Sequence, residues 1–154
     1  MPNFTVKELT YSSTAVERDI SNVPNDAQMA NILRLISQLE LVRMVLGNHR
    51  MNISSGFRSQ ALNTVVGGAK YSAHTAGLAA DFTCAQFGTT TEIVKAIKAS
   101  SICYDQLILE YPNRASSWVH IGFAPDGITP RRETLVTVGD RKGTTDGTYR
   151  AFKD

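Results

Sequence analysis

The chain is short of cysteine, of net charge and of long apolar runs, and each shortage removes a class of protein. Its two cysteines, Cys84 and Cys103, give neither the thiolate pairs of a structural zinc site nor a disulfide framework. The plain expectation is two reduced core cysteines, with a single bridge between them as the alternative. Sixteen Lys and Arg against fourteen Asp and Glu leave a formal charge of +2, too little to argue for nucleic acid but compatible with an anionic polymer. No stretch approaches the roughly 20 apolar residues of a membrane span. Met1 to Asp19 lacks the apolar centre of a secretory signal, so synthesis in the cytoplasm without a signal peptide is expected. Repeats, low-complexity tracts and obvious linkers are absent too. With 154 residues and 42% hydrophobic content the chain can bury one core, and 1–154 is read as a single domain and a monomer.

What is present reads as alternating short elements. After Pro24, Asn25 or Asp26 can cap a helix whose apolar stripe runs Met29, Ile32, Leu33, Ile36, Leu39, Val42, Val45 and Leu46, with Gly47 just beyond its end. Met51 to Ser55 reads as a short strand, and Ser59 caps a helix through Val66 that stops at Gly67-Gly68. Thr89 and Glu92 have capping-box spacing and open a helix through Lys98 with Ile93, Val94 and Ile97 inward. Strands are expected at Leu78 to Cys84, at Tyr104 to Glu110, around Trp118 to Phe123 and at Arg132 to Val138. The tail from Gly139, with Gly143, Thr144, Thr145, Asp146 and Gly147, looks like a turn before a short strand at Tyr149 to Phe152. The mixed order argues for α+β, helices packed on a small antiparallel sheet.

Two of the three histidines stand in informative surroundings. His74, Asp81 and His120 form a two-imidazole, one-carboxylate set, the ligand set of a catalytic zinc with a fourth position open. Two atoms on one zinc, each at about 2.0–2.1 Å, lie only ~3–3.5 Å apart. Seven residues of helix would separate His74 from Asp81 by ~10 Å and seven of strand by ~23 Å, so the chain must bend between them, and Gly77 permits that bend. Alternation then puts Leu78, Ala80, Phe82 and Cys84 on one face and Asp81 on the other. Likewise Val119, Ile121 and Phe123 oppose Trp118, His120 and Gly122, while Leu107 and Leu109 oppose Gln106, Ile108 and Glu110. The seven-residue link from Tyr111 to Ser117 suits a hairpin that brings Glu110 and His120 onto one face.

The runs Ser55-Gly56-Phe57-Arg58-Ser59, His74…Asp81 and Trp118-Val119-His120 resemble the M15 family of zinc D-alanyl-D-alanine carboxypeptidases, which includes phage endolysins and shares its fold with the Hedgehog signalling domain. Phe4-Thr5-Val6-Lys7-Glu8-Leu9-Thr10, Ala61-Leu62-Asn63 and Val66-Gly67-Gly68 are similar to the small phage-type subgroup, and the resemblance spans roughly residues 3 to 140. It implies a Hedgehog/DD-peptidase-like fold, Zn2+ on His74, Asp81 and His120, and bacterial peptidoglycan as the partner, cut in its stem peptides beside a D-amino acid. Many members carry an acidic general base three positions before the last histidine, where this chain has Ser117. A serine cannot take that proton, and the Hedgehog-type arrangement points instead to Glu110 at the end of the preceding strand. By the same resemblance Arg58 would pair with a substrate carboxylate or stabilise the oxyanion.

Each residue has a plainer reading. Glu110 could be a surface residue at a strand end, and Arg58 a surface charge before a helix. Trp118 is a wall of the cleft or an exposed aromatic, and Ser72 orients a ligand or substrate or is a turn serine. His49 reads as a solvated loop residue, and Asp105 as a cap or ion-pair partner at its strand start. Three functions follow: a zinc peptidase on cell-wall peptides, a catalytically inactive zinc-containing cell-wall binding module, and a zinc amidohydrolase on some other D-peptide.

Overall fold

The computed structural model describes residues 2–138 and 148–154. Two five-residue helices open the chain, α1 (Val6–Thr10) and α2 (Ser13–Glu17), followed by the long α3 (Asp26–Val45). The sheet strands are β1 (Asn52–Ser55), β2 (Ala79–Thr83), β3 (Gln106–Glu110), β4 (Trp118–Gly122), β5 (Glu133–Val138) and β6 (Thr148–Ala151). Between them lie α4 (Gln60–Val65), α5 (Ala73–Ala76) and α6 (Thr90–Ala99). Among the described residues no helix is long and apolar enough to cross a membrane.

Capping chemistry sets the helix starts. Asn25 and Gln28 form a reciprocal capping box on α3, Thr89 and Glu92 form one on α6, and the Ser59 hydroxyl accepts from the Leu62 N–H. The buried face of α3 is Ile32, Leu35, Leu39 and Val42, with Leu46 just after it. That corrects the expected stripe: Leu33 is 54% exposed and Leu35 takes its place. Positions 32, 35, 39, 42 and 46 follow the three-and-four spacing of one helical face, and Leu33 stands about 100° away from it. These side chains pack with Ile93, Val94 and Ile97 of α6 against Ala80, Phe82, Leu107, Leu109, Val119 and Ile121 of the sheet. Truncating one such leucine typically costs about 2–5 kcal/mol.

The six strands run in the order β1-β2-β4-β3-β5-β6. All neighbours are antiparallel except β3 and β5, which pair in parallel from Gln106↔Glu133 to Glu110↔Thr137. The expected α+β fold, helices on an antiparallel sheet, is therefore present, with this one parallel pair within it. β4 folds back on one side of β3, and the chain then crosses to the free side of β3, so β5 must run in its direction. Asp105 fixes the start of that strand: its carboxylate takes two guanidinium bonds and the backbone N–H of Arg131, and its carbonyl accepts from Glu133. The expected turn at Gly139 to Gly147 lies outside the described residues, while the strand after it begins one residue earlier than expected, at Thr148.

The cysteines also differ from expectation. Both are free thiols, and Cys84 is buried in the core, but Cys103 is exposed rather than internal. It lies in the loop before β3, outside the alternation that buries Cys84.

Candidate metal centre

Three elements converge at the middle of the sheet. The Ser72 hydroxyl caps α5 by accepting from the His74 N–H at 3.2 Å, and the helix lasts one turn. It ends at Gly77, whose φ of 77° is left-handed and whose N–H returns to the His74 carbonyl. A Cβ at Gly77 would stand 2.9 Å from the Gln28 carbonyl oxygen and 3.0 Å from Ile32 Cγ1, so conformation and space both require glycine. Gln28 and Asn31 of α3 donate to the Thr75 and Ala76 carbonyls and fasten this turn to the core. The chain then enters β2, and Asp81 comes to lie beneath His74.

Asp81 pairs with His120 across β2 and β4 on one sheet face. Its Oδ1 is 3.2 Å from His74 Nε2 and 2.9 Å from His120 Nδ1. All three donor atoms lie within 4.8 Å of one another, and the imidazole centroids are 5.1 Å apart. The 3.2 Å contact falls in the ~3–3.5 Å expected between atoms sharing one zinc at about 2.0–2.1 Å and the 2.9 Å contact just below it, so the three donors are gathered closely enough to hold a single small divalent ion.

The groups behind these ligands are aligned for that task. His74 Nδ1 lies 2.7 Å from the Gly56 carbonyl, which can only accept, so Nδ1 carries a proton and Nε2 is the ring nitrogen that faces Asp81. Burial pushes the His74 imidazole below its ordinary value, with Asp81 opposing. Burial alone would raise the Asp81 carboxyl, yet the two imidazoles hold it well below the usual carboxylate range. Arg58 donates through Nη2 to Asp81 Oδ2 at 3.3 Å, through Nη1 to Asn63 Oδ1 at 3.2 Å and through Nε to Ser55 at 3.0 Å. Asn63 is itself fully buried and donates to the Ala69 carbonyl. The guanidinium is therefore a bracket between β1, α4 and the carboxylate, with less freedom than a surface charge would have.

Glu110 stands on the same sheet face, directly across from Trp118. It is 8% exposed, and burial raises its carboxyl above the ordinary value against the opposing pull of the Thr137 hydroxyl and, more weakly, of His120. The Trp118 ring packs at 5.5 Å on Tyr111, over which the Arg114 guanidinium lies at 4.2 Å. Ser117, three positions before His120, is committed elsewhere: its hydroxyl donates to the Glu110 carbonyl and pairs with Thr90, both at 2.7 Å. It ties the hairpin to the start of α6.

Sequence reasoning therefore named the residues that converge here, His74, Asp81 and His120, with Arg58, Glu110 and Trp118 around them. Ser72 supports the cluster as the cap of the His74 turn. Missed were the Gly56 carbonyl, for which a side-chain reading has no signal, and Asn63, a buried amide in a helix whose other inward residue, Leu62, is apolar. A pocket of about 560 Å³ between α1, α2, β1 and α4 is lined in part by Ser55 and Arg58 but by none of the three donors.

A two-imidazole, one-carboxylate cluster of this kind could hold a metal ion, and it is a donor set that metal-dependent hydrolases use. The Peptidase M15 family matches residues 2–122, and the chain belongs to that family of metallopeptidases. No curated protein matches the chain significantly.

Proposed function

We propose that this M15 member is a zinc peptidase that hydrolyses peptidoglycan stem peptides at a bond beside a D-amino acid, and that it serves as a cell-wall-degrading factor of phage type. The observation that carries this reading is the approach of His74 Nε2 and His120 Nδ1 to one Asp81 oxygen, with a buried glutamate on the same sheet face. His74, Asp81 and His120 would hold the ion. When bound, zinc supplies polarisation of the scissile carbonyl and acidification of a water.

The remaining work falls to the chain itself. Glu110 takes the proton of the attacking water and passes it to the leaving amine. Opposed residues one pair removed on adjacent strands are about 7–8 Å apart, which leaves room between Glu110 and His120 for a water and a carbonyl. Its raised proton affinity brings Glu110 closer to the pH at which a base works best. Arg58 keeps Asp81 oriented and adds positive charge beside the developing oxyanion. Ser72 acts through its cap on His74, and Trp118 walls the cleft next to Glu110.

Digestion of purified peptidoglycan by the zinc-loaded protein, with a chelator control and mass spectrometry of the fragments, tests this. New stem-peptide fragments that vanish with chelator are expected. Stoichiometric zinc without any fragment would replace the peptidase with a wall-binding module.

A further inference from the structure

The pocket between α1, α2, β1 and α4 is built from other chemistry than the metal centre beside it. β1 is the outermost strand of the sheet, so the pocket lies at the sheet's edge. Ser55 and Arg58 belong to both places, Arg58 through its 3.3 Å bond to Asp81. A group held in the pocket is therefore one guanidinium away from Asp81. At about 560 Å³ the space falls within the ~300–1,000 Å³ of small-molecule sites.

Hydroxyls dominate its polar lining. Thr5 and Ser12 accept from the N–H groups of Glu8 and Ala15 at 3.1 and 3.2 Å, and Ser55 accepts from Arg58 Nε at 3.0 Å. A hydroxyl that accepts in this way still has its hydrogen to give, so folding fixes the oxygens and leaves O–H donors for a ligand. Ser54 is the converse, since it donates to the Asp81 carbonyl at 3.3 Å and keeps a lone pair to accept with. Apolar surface lies among these groups: Phe57 and Leu62 are buried, whereas Val66 and Tyr11 are 44% and 63% exposed. Fixed charge nearly cancels, because Lys7 and Glu8 are of opposite sign and Arg58 is already paired with Asp81. A peptide carboxylate finds no uncommitted excess of positive charge here. A neutral ligand with several hydroxyls, an amide and an apolar ring face matches each part of the lining.

We infer that this pocket binds an N-acetylated amino sugar of the glycan strand while the stem peptide lies over the metal ligands. Sugar hydroxyls both donate and accept, so they suit Ser54 as well as Thr5, Ser12 and Ser55. The C–H face of a pyranose ring packs on the Tyr11 ring, and the acetamido methyl on the apolar wall at Val66. The pocket thereby distinguishes a stem peptide still attached to its glycan from a free one. That discrimination rests on the peptidoglycan reading above and needs no contact with the reacting atoms.

Calorimetric titration of the zinc-loaded protein, and of Tyr11→Ala and Val66→Arg, with chitotriose, an uncharged N-acetylglucosamine oligomer, provides the test. Tyr11→Ala removes the ring, and Val66→Arg fills the pocket from an exposed position. Cleavage of a free stem pentapeptide, and of the same peptide on its disaccharide, is followed in parallel. Tyr11→Ala is expected to weaken chitotriose binding about 3- to 10-fold and to raise KM for the disaccharide peptide by the same factor. Val66→Arg should abolish sugar binding, and both variants should cleave the free pentapeptide at the parent rate. A parent that does not bind chitotriose overturns the sugar site even if it cleaves both peptides. Binding that neither substitution weakens overturns it too, since the sugar then sits elsewhere. Equal losses on free and disaccharide-linked peptide also overturn it, because they mean that the pocket holds peptide. A parent that binds chitotriose through these residues and cleaves nothing keeps the sugar site and removes the peptidase reading. One that neither binds nor cleaves removes both.

Discussion

The two ends of the site are built for different tasks. At the His74 end every polar group has a protein partner: Gly56 carbonyl for the imidazole, Arg58 for Asp81, and Asn63 and Ser55 for Arg58. At the Glu110 end the carboxyl is buried with its proton affinity raised, and its side-chain neighbour across the sheet is the buried Thr137 hydroxyl. The first end is arranged for an ion that must be held in a fixed geometry. The second holds a carboxyl whose raised proton affinity suits a group that takes up and gives back a proton.

The strongest way to break this contrast is Asp81→Ala, which removes the hub of the His74 end. Metal binding and activity should disappear together, and the metal-free protein should lose about 3–5 kcal/mol because Arg58 is left as an uncompensated, largely buried cation. Chelator competition and denaturant unfolding read the two effects, and a variant that still binds zinc tightly would contradict the assignment.

Glu110→Gln probes the other end and should separate what Asp81→Ala joins. Turnover should fall about 10²–10⁴-fold while zinc stoichiometry stays at one. Loss of zinc would mean that Glu110 belongs to the ligand set.

Arg58→Lys sharpens the comparison further. A point charge cannot reach Ser55, Asn63 and Asp81 at once, so zinc affinity should drop about 10-fold with the fold intact. An unchanged zinc affinity, measured by chelator competition, would reduce the bracket to packing.

The smallest effect is one of sign. A glutamate whose folded-state proton affinity is raised gives stability that is fully present below the ordinary glutamate value, about 4.3, and is lost as pH rises through the folded value. Glu110→Gln should therefore raise the melting temperature of the metal-free protein at neutral pH, with the gain fading below about pH 4. Scanning calorimetry at several pH values would detect the opposite trend, which would mean that the carboxylate is stabilised in place.

Much of this was legible in the sequence because it rests on local rules. Alternation around Asp81, His120 and Glu110 assigned them to one face, and the cap residues Asn25, Ser59 and Thr89 placed three helix starts. The five-residue helices α1 and α2 were not read, since one turn and a half shows no periodicity. Their signal was the capping side chains, Thr5 accepting from the Glu8 N–H and Ser12 from the Ala15 N–H. The parallel β3–β5 pair was illegible for another reason: strand direction follows from where the chain returns, and residues 123–132 carry no local mark of it.

The acceptor behind His74 is a backbone carbonyl, and this has a consequence for proton traffic. Metal ligands ordinarily shed protons as the ion arrives, which makes affinity steep in pH. Here geometry settles the proton at one of the three positions, since His74 donates its Nδ1 proton to the Gly56 carbonyl and so keeps it on the side away from the ion. No side-chain substitution at position 56 can delete the oxygen that fixes that arrangement.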